Sequence, residues 1–271
     1  MEVYDSFGGI MDIGLSSASF YPNVNTENSI ALMKNLGFNL GEIFLNSISE
    51  YSENFGDILL EQKLKNNFTI NSVHAFSSSF EPNLFDEYKR RRNDAFLQFK
   101  QVCKLARKVG AKCYTFHGMK HKKLYNVINY DLVFDVYDKL LYTAGEEGIK
   151  LCQENVFWCM SGDIDFLYTL REKYENSLYF TLDIKQAYRA GRLPEEYIDI
   201  MSGAIENLHI NDRNSISSCL LPGKGDINYK KLFCKLREVN YNKVGIIEVY
   251  GDNYKNYDEL KESKDYIEKC L

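Results

Sequence analysis

Nowhere in the 271 residues is there an apolar run able to cross a membrane, which takes about 20 residues in succession. The opening segment, Met1-Glu2-Val3-Tyr4-Asp5, is acidic and too short of apolar length for a secretory signal or a transit peptide. The expectation is a cytoplasmic protein with no membrane partner. An excess of positive charge is also missing. The 33 Lys and Arg face 38 Asp and Glu, for a net charge of −5. A nucleic-acid partner held by a wide phosphate footprint is therefore not expected, although a local basic groove stays open. Cys-x-x-Cys spacing is absent. The seven cysteines (Cys103, Cys113, Cys152, Cys159, Cys219, Cys234 and Cys270) are odd in number and scattered, mostly within apolar segments. They read as reduced thiols buried in a core rather than as a disulfide framework. Prolines number only four. No linker rich in Ser, Pro or Gly divides the chain, so residues 1–271 read as a single domain.

What is present is alternation. Beyond a loose lead-in over residues 1–9, strand-like and helix-like patterns succeed one another. Strands are expected at Met11–Ser16, Glu42–Leu45, Ile70–His74, Lys112–His117, Ile149–Glu154, Leu178–Asp183, Ile205–Ile210 and Val244–Val249. Helices are expected at Thr26–Leu36, with Asn25 as its N-cap and Gly37 at its end; at Asp57–Lys65; at Phe85–Val109, stopped by Gly110; and at Leu132–Gly145, with Asp131 as a candidate cap. Further helices fall near 163–174, 195–202, 228–239 and Tyr257–Lys269. Repeated βα units argue for a parallel sheet. Eight of them argue for closure into a (β/α)₈ TIM barrel, which takes about 250 residues.

The most informative stretch is Glu206-Asn207-Leu208-His209-Ile210-Asn211-Asp212-Arg213. An alternating apolar strand delivers a histidine to its C-terminal end and leaves through a polar loop that closes on Gly223-Lys224-Gly225-Asp226. Carboxylates end three comparable strands: Glu154, Asp183 and Glu248. The intervals are 29 residues (154 to 183), 26 (183 to 209) and 39 (209 to 248), each compatible with one strand plus one crossover helix of about 30 residues. Three carboxylates and one imidazole at one end of a parallel barrel make a site for one divalent metal ion. An oxygen-rich site with a single imidazole suits Mn²⁺ first, then Mg²⁺, and also accepts Co²⁺ or Zn²⁺.

The ordered set Glu154, Asp183, His209-Ile210-Asn211-Asp212-Arg213, Gly223-Lys224-Gly225-Asp226-Ile227 and Glu248 resembles the xylose-isomerase-like TIM-barrel superfamily. That group holds sugar and sugar-phosphate isomerases and epimerases, cyclic-polyol dehydratases and, more distantly, endonuclease IV. His74 and His117 resemble the histidines of its third and fourth strands, and Glu42 matches the acid that often ends the second. The resemblance implies an isomerase or epimerase of a small sugar, sugar phosphate or polyol. Glu154 and Glu248 would transfer protons on opposite sides of the sugar, and Asp183 and His209 would serve chiefly as ligands. Oligomerisation of such a barrel with its own copies is compatible with the sequence. Two departures stand out. Many members carry histidine three residues after the strand-6 aspartate, where this chain has Gln186. The further ligands of a third metal in endonuclease IV fall on Ser217 and Cys219. Phosphodiester hydrolysis by a multi-metal site is thereby the weaker expectation, beside a dehydratase on the same barrel.

Other residues carry two readings each. His74 and His117 are either satisfied structural histidines or groups that orient substrate or hold a second metal beside Glu154. Trp158 either stacks on a sugar face or packs. Gln186 either grips a substrate hydroxyl or opens the next helix toward solvent. Asp212 and Arg213 either orient His209 or contact substrate, the former role first. Lys120, Lys122 and Lys123 follow strand 4 and read as a solvated run before they read as an anion site. His121 reads as a solvated loop residue, and Lys89 to Arg92 as an outer helix face. Asp226 reads as the cap of the following helix.

Overall fold

The computed structural model describes residues 11–76, 79–121 and 128–271. The lead-in at 1–9 and the lysines at 122 and 123 lie outside them. Eight parallel strands close into one barrel in chain order: β1 Asp12–Ser16, β2 Leu40–Leu45, β3 Thr69–Ala75, β4 Cys113–Phe116, β5 Lys150–Glu154, β6 Tyr179–Asp183, β7 Ile205–Ile210 and β8 Val244–Ile247. Closure is made by β1 against β8, with Asp12 opposite Val244 and Leu15 opposite Ile247. The strands pack tightly where β1 meets β2. A Cβ on Gly41 would collide with the carbonyl oxygen of Leu15, so only glycine fits there.

The helices around the barrel are α1 Thr26–Asn35, α2 Glu53–Lys65, α3 Lys89–Val109, α4 Tyr130–Glu146, α5 Ile164–Lys173, α6 Ile184–Arg189, α7 Pro194–Met201, α8 Tyr229–Glu238 and α9 Asp258–Glu268. α3 shows why the sequence folds so. Its buried residues Ala95, Phe99, Val102, Cys103, Leu105, Ala106 and Val109 fall on one face of the helix, forming one apolar stripe toward the barrel. Gly110 then ends it in a left-handed conformation at φ 69°. Among the described residues no helix is long and apolar enough to cross a membrane. All seven cysteines are free, and five are buried; Cys234 is exposed.

Several local expectations are corrected. The long third helix begins at Lys89, because Glu81–Phe85 forms a separate 3₁₀ turn before it. α4 is capped by Asn129, whose side chain accepts from Leu132 N at 3.1 Å, not by Asp131 in its first turn. α8 is capped by Asn228 and not by Asp226. Asn25 holds the cap position of α1 without a capping hydrogen bond. The additional short α6 starts directly on Asp183 and has the largest consequence for the site.

Side chains alternate across each strand, which fills the barrel in layers. Below the rim, Glu42, Ser72, Thr115 and Asn207 meet: the Glu42 carboxylate accepts from Ser72 Oγ at 2.8 Å, Thr115 Oγ1 at 3.1 Å and Asn207 Nδ2 at 3.1 Å. Two residues further along their strands stand His74 and His209, in the layer above. The barrel axis is thus polar, while Phe116, Phe180, Leu182, Leu208 and Ile247 pack outward against the helices.

Candidate metal centre and active site

Glu154 and Asp183 are the last residues of β5 and β6, His209 is the last but one of β7, and Glu248 directly follows β8. All four lie at the C-terminal rim, at most 6% exposed. One ligand atom from each lies within 4.8 Å of the other three. Their orientation is set from outside the cluster. Asp183 caps α6, so its Oδ1 accepts from Gln186 N at 3.0 Å and from Asn211 Nδ2 at 3.2 Å. That leaves Oδ2 buried without a hydrogen-bond partner in the protein. His209 Nε2 faces Glu42 Oε2 at 3.2 Å. Its Nδ1 points to Glu154 at 3.4 Å, Glu248 at 3.5 Å and Asp183 at 3.8 Å, and likewise has no hydrogen bond. Buried carboxylate and imidazole atoms without hydrogen bonds that converge on one point are what a cation site requires, and here the Lys185 ammonium, 3.5 Å from Asp183 Oδ2, offsets part of their charge. The donor set of three carboxylates and one nitrogen fits a divalent ion.

The electrostatics agree. Burial raises Glu154 to about 8, and Asp183 and Glu248 push the same way. Burial also works against charge on Glu42, yet His209 outweighs it and holds the carboxyl down at about 2. Glu42 therefore steadies the ring of His209 from the side away from the cluster, as carboxylates behind metal-binding histidines do. This corrects the expectation for Asp212, which spends its carboxylate on the backbone N–H groups of Arg213, Gly223 and Ile227 and so organises the β7–α8 loop.

The cluster has two unlike flanks. On one side His117 Nε2 and His74 Nε2 stand 3.5 Å and 3.8 Å from Glu154 Oε2. Burial lowers His74 to about 4 and His117 to about 3, so both rings are neutral at pH 7. His117 is fixed by Glu81, whose Oε2 faces its Nδ1 at 3.1 Å, and Glu81 is held by Tyr114 at 2.6 Å. With Glu154 the two imidazoles form a second group able to hold a metal. On the other side the ammonium of Lys185, 1% exposed, donates to Glu248 Oε2 at 3.1 Å and Tyr250 OH at 3.2 Å and stands 3.5 Å from Asp183 Oδ2.

Sequence reasoning missed Lys185, Glu81 and Tyr250. A lysine in an acidic chain reads as solvated. The one available signal was that Lys185 follows Asp183 by two residues and so falls in the first turn of any helix starting there.

The remaining candidates have other surroundings. Trp158 is half-buried, its ring 5.6 Å from that of His117 and 5.3 Å from Lys120 Nζ. Gln186 is buried, and its side-chain oxygen accepts from Phe157 N at 3.3 Å, so it does not face solvent. Arg213 lies over the ring of Tyr188 at 5.0 Å. The Ser217 hydroxyl donates to the carbonyl of Cys219, whose thiol donates to Asn253 Oδ1. His121 is exposed, as are Lys89, Arg90 and Arg91.

A closed parallel barrel with acids and one imidazole gathered at its C-terminal rim defines a TIM-barrel protein with a candidate divalent-metal site. Residues 30–270 match the model of the xylose isomerase-like TIM barrel, and the chain belongs to that family. No curated protein gives a significant sequence match. Among solved structures, a D-tagatose 3-epimerase-like protein superposes with a TM-score of 0.79 at 22% identity, covering 96% of this chain and 97% of the other. The apo form of 3-keto-D-glucoside 4-epimerase YcjR from E. coli superposes at 0.78 with 17% identity, covering 96% and 100%. The IolI protein with a bound zinc atom superposes at 0.78 with 16% identity, covering 96% and 99%.

Proposed function

We propose that the protein is a metal-dependent isomerase or epimerase of a small sugar, sugar phosphate or polyol, acting by proton abstraction beside a carbonyl. The observation that carries the reading is the pair Glu154 and Glu248, whose oxygens approach one cation position from different flanks. Family membership and the sugar epimerases among its structural relatives support it. A divalent ion held by Glu154, Asp183, His209 and Glu248, Mn²⁺ by preference, supplies Lewis-acid polarisation of a carbonyl and its neighbouring hydroxyl. The chain's own groups do the rest. One glutamate takes the proton from the carbon next to the carbonyl and the other returns one. The neutral imidazoles of His74 and His117 accept or donate hydrogen bonds to sugar hydroxyls beside Glu154. The ammonium of Lys185 places positive charge beside Glu248. Trp158, Gln186 and Arg213 border the entrance and contact the rest of the substrate. We read the whole chain as one cytoplasmic domain with reduced thiols, in keeping with its free, mostly buried cysteines.

Deuterium uptake from D₂O into a panel of ketoses tests this. The expected result is wash-in that needs added divalent metal and falls about 10²- to 10⁴-fold in Glu154→Gln and in Glu248→Gln. No wash-in into any ketose or cyclic polyol would refute it. A two-metal hydrolase is the second reading, favoured by the neighbouring group His74, His117 and Glu154. Two tightly held metals per chain by elemental analysis, together with phosphoester cleavage, would establish it instead.

A further inference from the structure

Beside the rim, α6 and the β7–α8 loop border a groove of about 250 Å³, lined by Tyr188, Arg189 and residues 213–218, Arg213-Asn214-Ser215-Ile216-Ser217-Ser218. Both guanidinium groups are presented by stacking: Arg189 lies 4.0 Å from the centre of the Phe157 ring, and Arg213 lies 5.0 Å from that of Tyr188. Stacking leaves the N–H edges free for an acceptor. Among the described residues neither arginine forms a salt bridge; the Arg213 guanidinium donates to the carbonyl of Asn214 at 2.9 Å. The nearby carboxylates are already engaged. Glu195 pairs with Lys231 at 3.0 Å, and Asp212 is spent on loop N–H groups. Two guanidiniums without a salt bridge thus border one groove and offer their free N–H groups to an anion.

The groove belongs to the approach of the metal centre. α6 begins on Asp183 and ends on Arg189, a rise of about 9 Å at 1.5 Å per residue. Cys219 is within electrostatic reach of Lys185, Asp183 and Glu248 at the centre and of Arg189 at the groove. That is the span of a short sugar chain with a charged group at its far end. One guanidinium would satisfy a carboxylate. Two, with the neighbouring hydroxyls of Ser215 and Ser218, match the charge and the acceptor oxygens of a phosphate.

We infer that Arg189 and Arg213 form a subsite for a phosphomonoester, and that the substrate is a ketose phosphorylated at the end remote from the reacting carbons. The substrate half of this inference rests on the proposed sugar chemistry; the anion site does not.

The test titrates inorganic phosphate into the metal-loaded full chain by calorimetry. One saturable site per chain is expected, weakened roughly 10- to 100-fold in Arg189→Gln and in Arg213→Gln, the range for a lost charge-assisted contact. Arg189→Lys, which keeps the charge and loses the fork, should fall between. Arg189 is exposed at the end of its helix, so these variants leave the core intact. No saturable binding overturns the proposal, as does binding unaffected by Arg189→Gln, which would place the anion on the metal. Acetate binding as tight as phosphate overturns the phosphomonoester assignment. In D₂O exchange, the preference for phosphorylated over unphosphorylated ketoses should drop by the same factor in Arg189→Gln. Phosphate binding that needs both arginines, without wash-in into any sugar, would uphold the subsite and remove the isomerase reading. Wash-in without phosphate binding would do the reverse.

Discussion

Replacing Lys185 by methionine should move two measurements in opposite directions. The ammonium sits 3.1 Å from Glu248 Oε2 and 3.5 Å from Asp183 Oδ2, the two oxygens that also face His209 Nδ1. Burial works against its charge, but Asp183 and Glu248 outweigh it and raise the lysine well above its ordinary range. At an effective dielectric of about 20, each of these contacts is worth about 5 kcal/mol before desolvation is subtracted. Removing one partner of such a buried group costs about 3–5 kcal/mol net. The metal-free protein should therefore melt about 6–20 °C lower, at about 2–4 °C per kcal/mol for a chain of this size. A divalent ion draws on the same two oxygens, so the lysine is its competitor. Lys185→Met should bind Mn²⁺ at least about 10-fold more tightly, and saturating metal should recover much of the lost melting temperature through linkage. Calorimetric metal titration and thermal melts with and without metal read both effects. A variant that loses stability equally in both states, or binds metal more weakly, would show that Lys185 is a structural lysine with no bearing on the cation.

Gln186 cannot titrate, so the pH profile of the reaction should carry no inflection from that position. Gln186→Leu removes the acceptor for Phe157 N and should raise KM more than it lowers kcat; steady-state kinetics with wild-type values in both would exclude the residue from the site. At the opposite end of the barrel Glu206 joins Lys150 at 2.9 Å and Lys243 at 2.5 Å. Burial works against its charge, yet the two lysines lower its pKa. The stabilisation is present above the unfolded value of about 4.3 and is lost as pH falls through the lower folded value. The lysine side chains are 40% and 39% exposed, so Glu206→Gln should cost only about 1 kcal/mol at pH 7. That difference should vanish by pH ~2 in urea melts; a penalty unchanged with pH would assign it to packing instead.

The strands and four rim residues were legible because both signals are local. A period of two marks a strand, and the residue that ends it must face the rim. What was not legible depends on closure. Glu42 and Asn207 are 165 positions apart, and nothing in either segment announces that they meet across the barrel axis. Their contact nevertheless decides which nitrogen of His209 faces the carboxylates. Glu81 is hidden for a related reason: it lies in a 3₁₀ turn ahead of the expected helix start at Phe85, where no period assigns it a face, so its approach to His117 could not be read.

Asp183 shows how one residue can hide another. Read as a strand end, it is a ligand; read as a helix cap, it is a structural residue. The structure gives one oxygen to α6 and turns the other toward the cluster, so the same residue is a cap and a candidate ligand. Because the helix starts on the candidate ligand itself, Lys185 and Gln186 are carried into the rim within a single turn. A crossover with a longer loop would have left them in solvent. The short helix thus sets the chemistry of the Glu248 flank. It also ends at Arg189, so the same six residues connect the candidate metal centre to the phosphate groove.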